Sequence, residues 1–153
     1  MEYKVLDYKI HLSNNVLDVL SKNRQITNSN FEIGGQLFGY KIDKDFFISD
    51  ATVSNKVDKK SSISFFPNII ADQDEIDIFY KNGYDFLGNW HTHPQKNIPC
   101  PSPIDIATMI DRYKKSKHGL NFYVLIIVGK TEFPKGISIN IVNDKIIGAK
   151  LND

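Results

Sequence analysis

The run Tyr84-Asp85-Phe86-Leu87-Gly88-Asn89-Trp90-His91-Thr92-His93-Pro94 decides how the chain is read. Its first six residues form a short, largely apolar strand pattern. Side chains on a strand alternate between faces, so His91 and His93 point the same way. Two imidazoles side by side on one face can grip one metal ion. Pro94 has no backbone N–H and suits the place where strand pairing stops. The histidines are therefore expected at a strand end, where active sites open. Taken alone the pair decides little, because solvated or hydrogen-bonded histidines give the same letters.

Outward from this strand the chain reads as alternating elements. Upstream, Val5 to His11 has the pattern of a short strand, and Ser13 caps a helix through about Lys22 with Val16, Leu17, Val19 and Leu20 on its apolar side. Asn23 to Asn30 is a polar loop. Glu32 to Tyr40 and Phe46 to Val53 are strands of a hairpin turning at Asp43-Lys44. Gly34, Gly35 and Gly39 lower strand propensity but permit close backbone approach, which means either a bulge with tight packing or room for a site. The lysine-bearing stretch Asn55 to Ser62 is a solvated loop, Ile63 to Phe66 a brief strand, and Asn68 to Asn82 a helix ended by Gly83.

Downstream, Gln95 to Pro101 is a proline-bearing loop, and Ser102 opens a helix through about Lys117. Asn121 to Val128 is almost wholly apolar, the signature of a central strand buried on both faces. Gly136 to Val142 and Lys145 to Leu151 read as an edge hairpin across Asn143-Asp144. The expected fold is one α/β domain over residues 1–153, a mixed β-sheet with helices on its faces.

Three residues supply the donors that a catalytic zinc needs, since such a zinc takes three protein ligands and keeps a fourth position for water. His91 and His93 offer two nitrogens. Asp105, twelve residues beyond His93, offers an oxygen from the start of the next helix. Zinc lowers the pKa of a bound water to about 7, so hydroxide is available at neutral pH. Ser102 and Asp105 also have a structural reading: Ser-Pro-x-Asp is a helix-start signature, with Ser as N-cap and the acid three residues on. Trp90 and Thr92 face away from the histidines into packing, Thr92 with a further reading as a residue that orders the site. His11, His118 and the thiol of Cys100 are read as bystanders.

A glutamate followed by Gly34-Gly35, then His91-Thr92-His93-Pro94, then Ser102-Pro103-Ile104-Asp105 resembles the JAMM metalloprotease motif of the MPN+ domain family, in its short prokaryotic-type form. The resemblance runs from about Glu32 to Asp105. It implies an MPN/cytidine-deaminase-like α/β sandwich and one zinc held by His91, His93 and Asp105. It implies Glu32 as the general base and Ser102 as the group that stabilises the oxyanion. It also implies a peptidase or isopeptidase acting after the C-terminus of a ubiquitin-like modifier. Such enzymes sit beside conjugation machinery, including that of antiviral defence systems. Two other readings stay open: trimming of a sulfur-carrier protein to its Gly-Gly end, and an MPN scaffold that binds without catalysis.

Composition narrows the classes further. Nineteen basic residues nearly cancel eighteen acidic ones, which disfavours a nucleic-acid partner. No apolar run approaches the roughly 20 residues that span a bilayer, and the first residues lack a signal-peptide pattern. The single Cys100 excludes an internal disulfide, so a reducing, cytoplasmic setting is expected.

Overall fold

A computed structural model describes residues 1–26, 32–54 and 69–153, with the side chains of 69–71 left aside. The loop predicted over 55–62, the strand predicted over 63–66, the first residue of the helix predicted from Asn68 and the second half of the 23–30 loop lie outside the described residues.

Twelve elements follow in order: β1 (Glu2–Val5), β2 (Tyr8–Leu12), α1 (Asn14–Lys22), β3 (Gly34–Ile42), β4 (Asp45–Ala51), α2 (Ile69–Lys81), β5 (Asp85–Thr92), α3 (Pro103–Lys115), β6 (Tyr123–Val128), β7 (Ile137–Val142), β8 (Ile146–Gly148) and β9 (Lys150–Leu151). All nine strands join one mixed sheet in the order β8-β7-β6-β5-β3-β4-β2-β1-β9. The β2–β4 and β5–β6 pairs are parallel and the others antiparallel. An α/β fold with a mixed sheet is thus as expected.

The shape of the sheet differs from the expected sandwich layer. β8 lies at one end of the strand order and β9 at the other, yet only Ala149 separates them. Ala149 N donates to Ile139 O of β7 at 2.8 Å, while Lys150 pairs with Lys4 of β1. The sheet therefore curls until its two edges nearly meet, a barrel-like arrangement that removes most of the open edge. The predicted single strand Lys145 to Leu151 is accordingly two strands serving opposite ends. The predicted strand Val5 to His11 is likewise two, β1 and β2, folded about Leu6 in the left-handed region (φ 53°).

Two apolar layers hold this sheet. The inner one gathers Ile10, Leu37, Phe46, Leu87, Trp90, Val124, Ile126 and Val128 with Val16 and Leu20 of α1. The outer one sets Tyr123, Leu125 and Ile127 against Met109 of α3. β6 alternates between the two layers, with all six residues buried, as its apolar run predicts. α2 covers the same outer side farther along: Phe79 stacks on Phe38 of β3 with ring centroids 3.9 Å apart. Helix α1 starts where its N-cap predicts, with Ser13 accepting a hydrogen bond from Val16 N.

Candidate metal centre

β5 carries an irregularity that aims the site. Leu37 of β3 pairs with Gly88 and Phe38 with Phe86, so Leu87 is an extra residue on β5, a β-bulge. The bulge resets which face each side chain takes. Leu87 and Trp90 point into the inner core, whereas Phe86 and Tyr123 meet on the outer side. Beyond the bulge, Asn89 and His91 turn outward towards α3. A regular strand would instead send His91 and Leu87 to one face, into the barrel. Gly88 is required here: a Cβ at this position would lie 1.8 Å from Val124 O.

Strand register then lays out the site as a row of cross-strand pairs. Gln36 faces Asn89 and Gly34 faces His91. Two residues farther along each strand, Glu32 comes opposite His93. Glu32 Oε1 lies 3.6 Å from His93 Nε2. Gly34 contributes no side chain beside His91, which leaves space on that face. The glycine strand is an interior strand, paired on both sides, and Gly34 O accepts from Ser54 N. Its glycines therefore offer no free edge to a peptide; Gly35 is needed because Thr52 O would lie 1.8 Å from a Cβ.

α3 brings the remaining donors. Ser102 is its N-cap, accepting from Asp105 N at 3.2 Å, while Asp105 Oδ2 accepts from Ser102 N at 2.8 Å. This is the reciprocal capping box that the sequence signature predicts. The capping carboxylate also faces the histidines. Asp105 Oδ1 is 3.0 Å from His91 Nε2, and Oδ2 is 3.2 Å from His93 Nε2 even as it caps the helix. Seven residues on, Arg112 ties the same face of α3 to the strands. It donates to Asn89 Oδ1 at 2.9 Å and to Gln36 Oε1 at 3.0 Å, and its guanidinium lies over Phe86. Gln36 in turn donates to Asp72 O and Glu75 Oε1 of α2. Nothing in the sequence pattern marked this polar ring.

All five expected site residues thus come together. His91 and Glu32 are buried and His93 nearly so. The imidazole rings are 4.9 Å apart at their centroids. His91 Nε2 is buried and makes no hydrogen bond, although Asp105 Oδ1 is close. A buried, unsatisfied nitrogen is costly unless something else takes its lone pair. Donors around a tetrahedral zinc, with bonds of about 2.0–2.1 Å, lie about 3.3 Å from one another. The two His–Asp separations, 3.0 and 3.2 Å, are near that spacing, although they reach different oxygens of the Asp105 carboxylate. Glu32, His91 and His93 also offer three donor atoms within 4.8 Å of one another. The residues fit a divalent metal of the zinc class.

The electrostatics follow from burial and proximity. Burial pushes the Glu32 carboxyl up, against the opposing pull of His91 and His93. Burial alone would raise Asp105, but the two imidazoles and the Ser102 N–H outweigh it and hold this carboxyl well below the usual range. Burial would lower His93, yet Asp105, Glu32 and the Cys100 backbone together raise it. Cys100 thus acts on the site through its backbone, while its thiol is exposed. Trp90 and Thr92 face inward as expected, and Trp90 Nε1 donates to Thr52 O at 2.8 Å.

Among solved structures, the chain is similar to the solution structure of protein DSY2949 from Desulfitobacterium hafniense. Identity is 20%, coverage is 94% of this chain and 91% of that chain, and the TM-score is 0.67. At that identity the likeness concerns the fold alone. No family model matches the chain, and no curated protein does. Among the described residues, no helix is long and apolar enough to cross a membrane.

Proposed function

We propose that the protein is a zinc-dependent peptidase or isopeptidase that cleaves after the C-terminus of a ubiquitin-like modifier. The observation that carries this reading is the convergence of His91 Nε2, His93 Nε2 and the Asp105 carboxylate, with Glu32 at their side. The barrel-like sheet departs from the MPN sandwich, so this reading rests on the motif residues and not on the fold. His91 and His93, as neutral imidazoles, and Asp105, as a carboxylate, would hold a zinc ion, which would supply Lewis acidity for the scissile carbonyl and the attacking water. Glu32 takes the proton from the attacking water and hands it to the leaving amine. Ser102 keeps its hydroxyl proton free to donate, since its oxygen accepts from Asp105 N, and it can serve the developing oxyanion.

One observation favours a second reading. Glu32 lies close enough to the imidazoles to act as a fourth ligand, which would close the coordination sphere and leave a structural site in a binding module. The choice of Glu32 as base over ligand rests on the motif resemblance, because its 3.6 Å separation from His93 is as near to ligand spacing as the 3.0 Å separation of Asp105 from His91. The test is to incubate zinc-loaded protein with a modifier fused to a reporter through its C-terminal glycine, alongside a fusion ending in Leu. Cleavage of the glycine form alone is expected. Equal cleavage of both, or efficient cutting of a free unstructured peptide, would overturn the substrate assignment.

A further inference from the structure

β3 begins at Gly34, so Glu32 lies beyond the last ladder pair with β5. Its position is fixed through its neighbour Ile33. The Ile33 peptide is held in both directions by one residue: Thr92 N donates to Ile33 O at 2.8 Å, and Ile33 N donates to Thr92 Oγ1 at 3.0 Å. Here a side chain takes the place of the backbone carbonyl that a regular ladder would offer. Thr92 is fully buried on the inner face. Its hydroxyl has Gln25 Oε1 as acceptor at 3.4 Å, and Gln25, from the segment after α1, is only 1% exposed. The amide oxygen takes the hydroxyl proton, so the hydroxyl lone pair is left for Ile33 N–H.

We propose that Thr92, oriented by Gln25, is the positioning residue for Glu32. The inference rests on the reading of Glu32 as the general base. Thr92 lies between His91 and His93, so one residue of β5 fixes the spacing of the base relative to both imidazoles. The imidazoles leave β5 on the outer face and the clamp leaves it on the inner face. Loss of the hydroxyl therefore loosens Glu32 while the histidines stay where the strand puts them.

The test compares Thr92→Val, which keeps the volume and loses the hydroxyl, with Thr92→Ser, which keeps the hydroxyl. Three readouts are taken: amide exchange of Ile33 and the Glu32 Cδ resonance in metal-free protein, zinc per chain, and kcat and KM on the modifier–reporter fusion. In Thr92→Val, Ile33 exchange should accelerate at least about tenfold and the Glu32 resonance should move. Zinc should stay near one per chain, and kcat should fall about 10–100-fold with KM little changed, the usual effect of losing an outer-shell partner. Thr92→Ser should restore all of these. If Thr92→Val does not fold, Gln25→Leu makes the same test through loss of the acceptor that orients the hydroxyl. Unchanged Ile33 exchange and Glu32 resonance would overturn the proposal, as would equal impairment of the Val and Ser variants. A wild-type protein without turnover would instead defeat the peptidase reading, and the two resonance readouts would still decide the positioning role.

Discussion

His11 and the His91–His93 pair both sit among carboxylates, and the contrast between them separates a structural cluster from a candidate metal site. His11 has both ring nitrogens occupied. Its Nε2 meets Asp45 Oδ1 at 2.6 Å, its Nδ1 faces Glu2 Oε2 at 3.3 Å, and its ring stacks on Phe47. The cluster ties β1 and β4 to β2 at a partly exposed surface. His118 is similarly complete, with Tyr113 O on one nitrogen and Leu120 N on the other. At the candidate metal centre the side chains are far less exposed, and His91 Nε2 has no hydrogen bond although Asp105 Oδ1 is 3.0 Å away. Residue type alone does not make a ligand set. Burial and an unspent lone pair do.

The sharpest way to break this contrast is to remove the group assigned to proton transfer. Glu32→Gln keeps the shape and loses the base, so turnover should fall by roughly 10²–10⁴. Zinc content should stay at one per chain. Loss of zinc together with activity would instead make Glu32 the fourth ligand and favour the closed site. Ser102→Ala comes next, with a fall of about 10²–10³ in kcat expected if the hydroxyl serves the oxyanion. The capping box adds a stability loss of about 1 kcal/mol whatever the catalytic role. Unchanged turnover per folded molecule, beside a lowered melting temperature, would leave Ser102 as a cap alone.

Protons sharpen the comparison further. His93 has a raised pKa in the folded, metal-free protein. Its contribution to stability is fully present below the unfolded value of about 6.5 and is lost as pH rises through the folded pKa. Zinc needs the neutral ring, so metal affinity should move the opposite way. It should rise by about tenfold per pH unit for each proton displaced, until that pKa is passed. Melting curves with and without zinc should therefore diverge as pH increases from 6 to 8. A gap that narrows over this range would contradict the ligand role of His93. The smallest effect is expected at the other cluster: His11→Ala should cost about 1 kcal/mol or less, as surface ion pairs do, and leave zinc content and turnover unchanged.

Much of this was legible in the sequence because it is local. The Ser13 and Ser102 caps, the buried β6 run and the common face of His91 and His93 each follow from a few adjacent residues. The candidate site residues came from the resemblance to the JAMM motif, since spacing alone pointed only to the histidine pair. What stayed hidden depends on distant partners. The alternating run after Asn143 gives no sign that β8 and β9 serve opposite ends of the sheet, because alternation reports burial and not pairing. Leu6 turns the chain without Gly, Asn or Pro to announce it. The bulge at Leu87–Gly88 is set by Val124, 36 residues on, so its effect on the direction of His91 could not be read from β5 alone. Gln25 and Arg112 look like ordinary surface residues until the fold buries them against Thr92 and Asn89.

His91 of β5 and His93 just beyond it are proposed to hold a catalytic metal with the Asp105 carboxylate. Zinc per chain, measured on wild-type, His91→Ala/His93→Ala and His11→Ala proteins after equal exposure to zinc and gel filtration, tests this most directly. The account predicts one zinc in the wild-type and His11→Ala proteins and essentially none in the double variant. Full zinc occupancy in the double variant, or a wild-type protein that takes up no zinc, would contradict it.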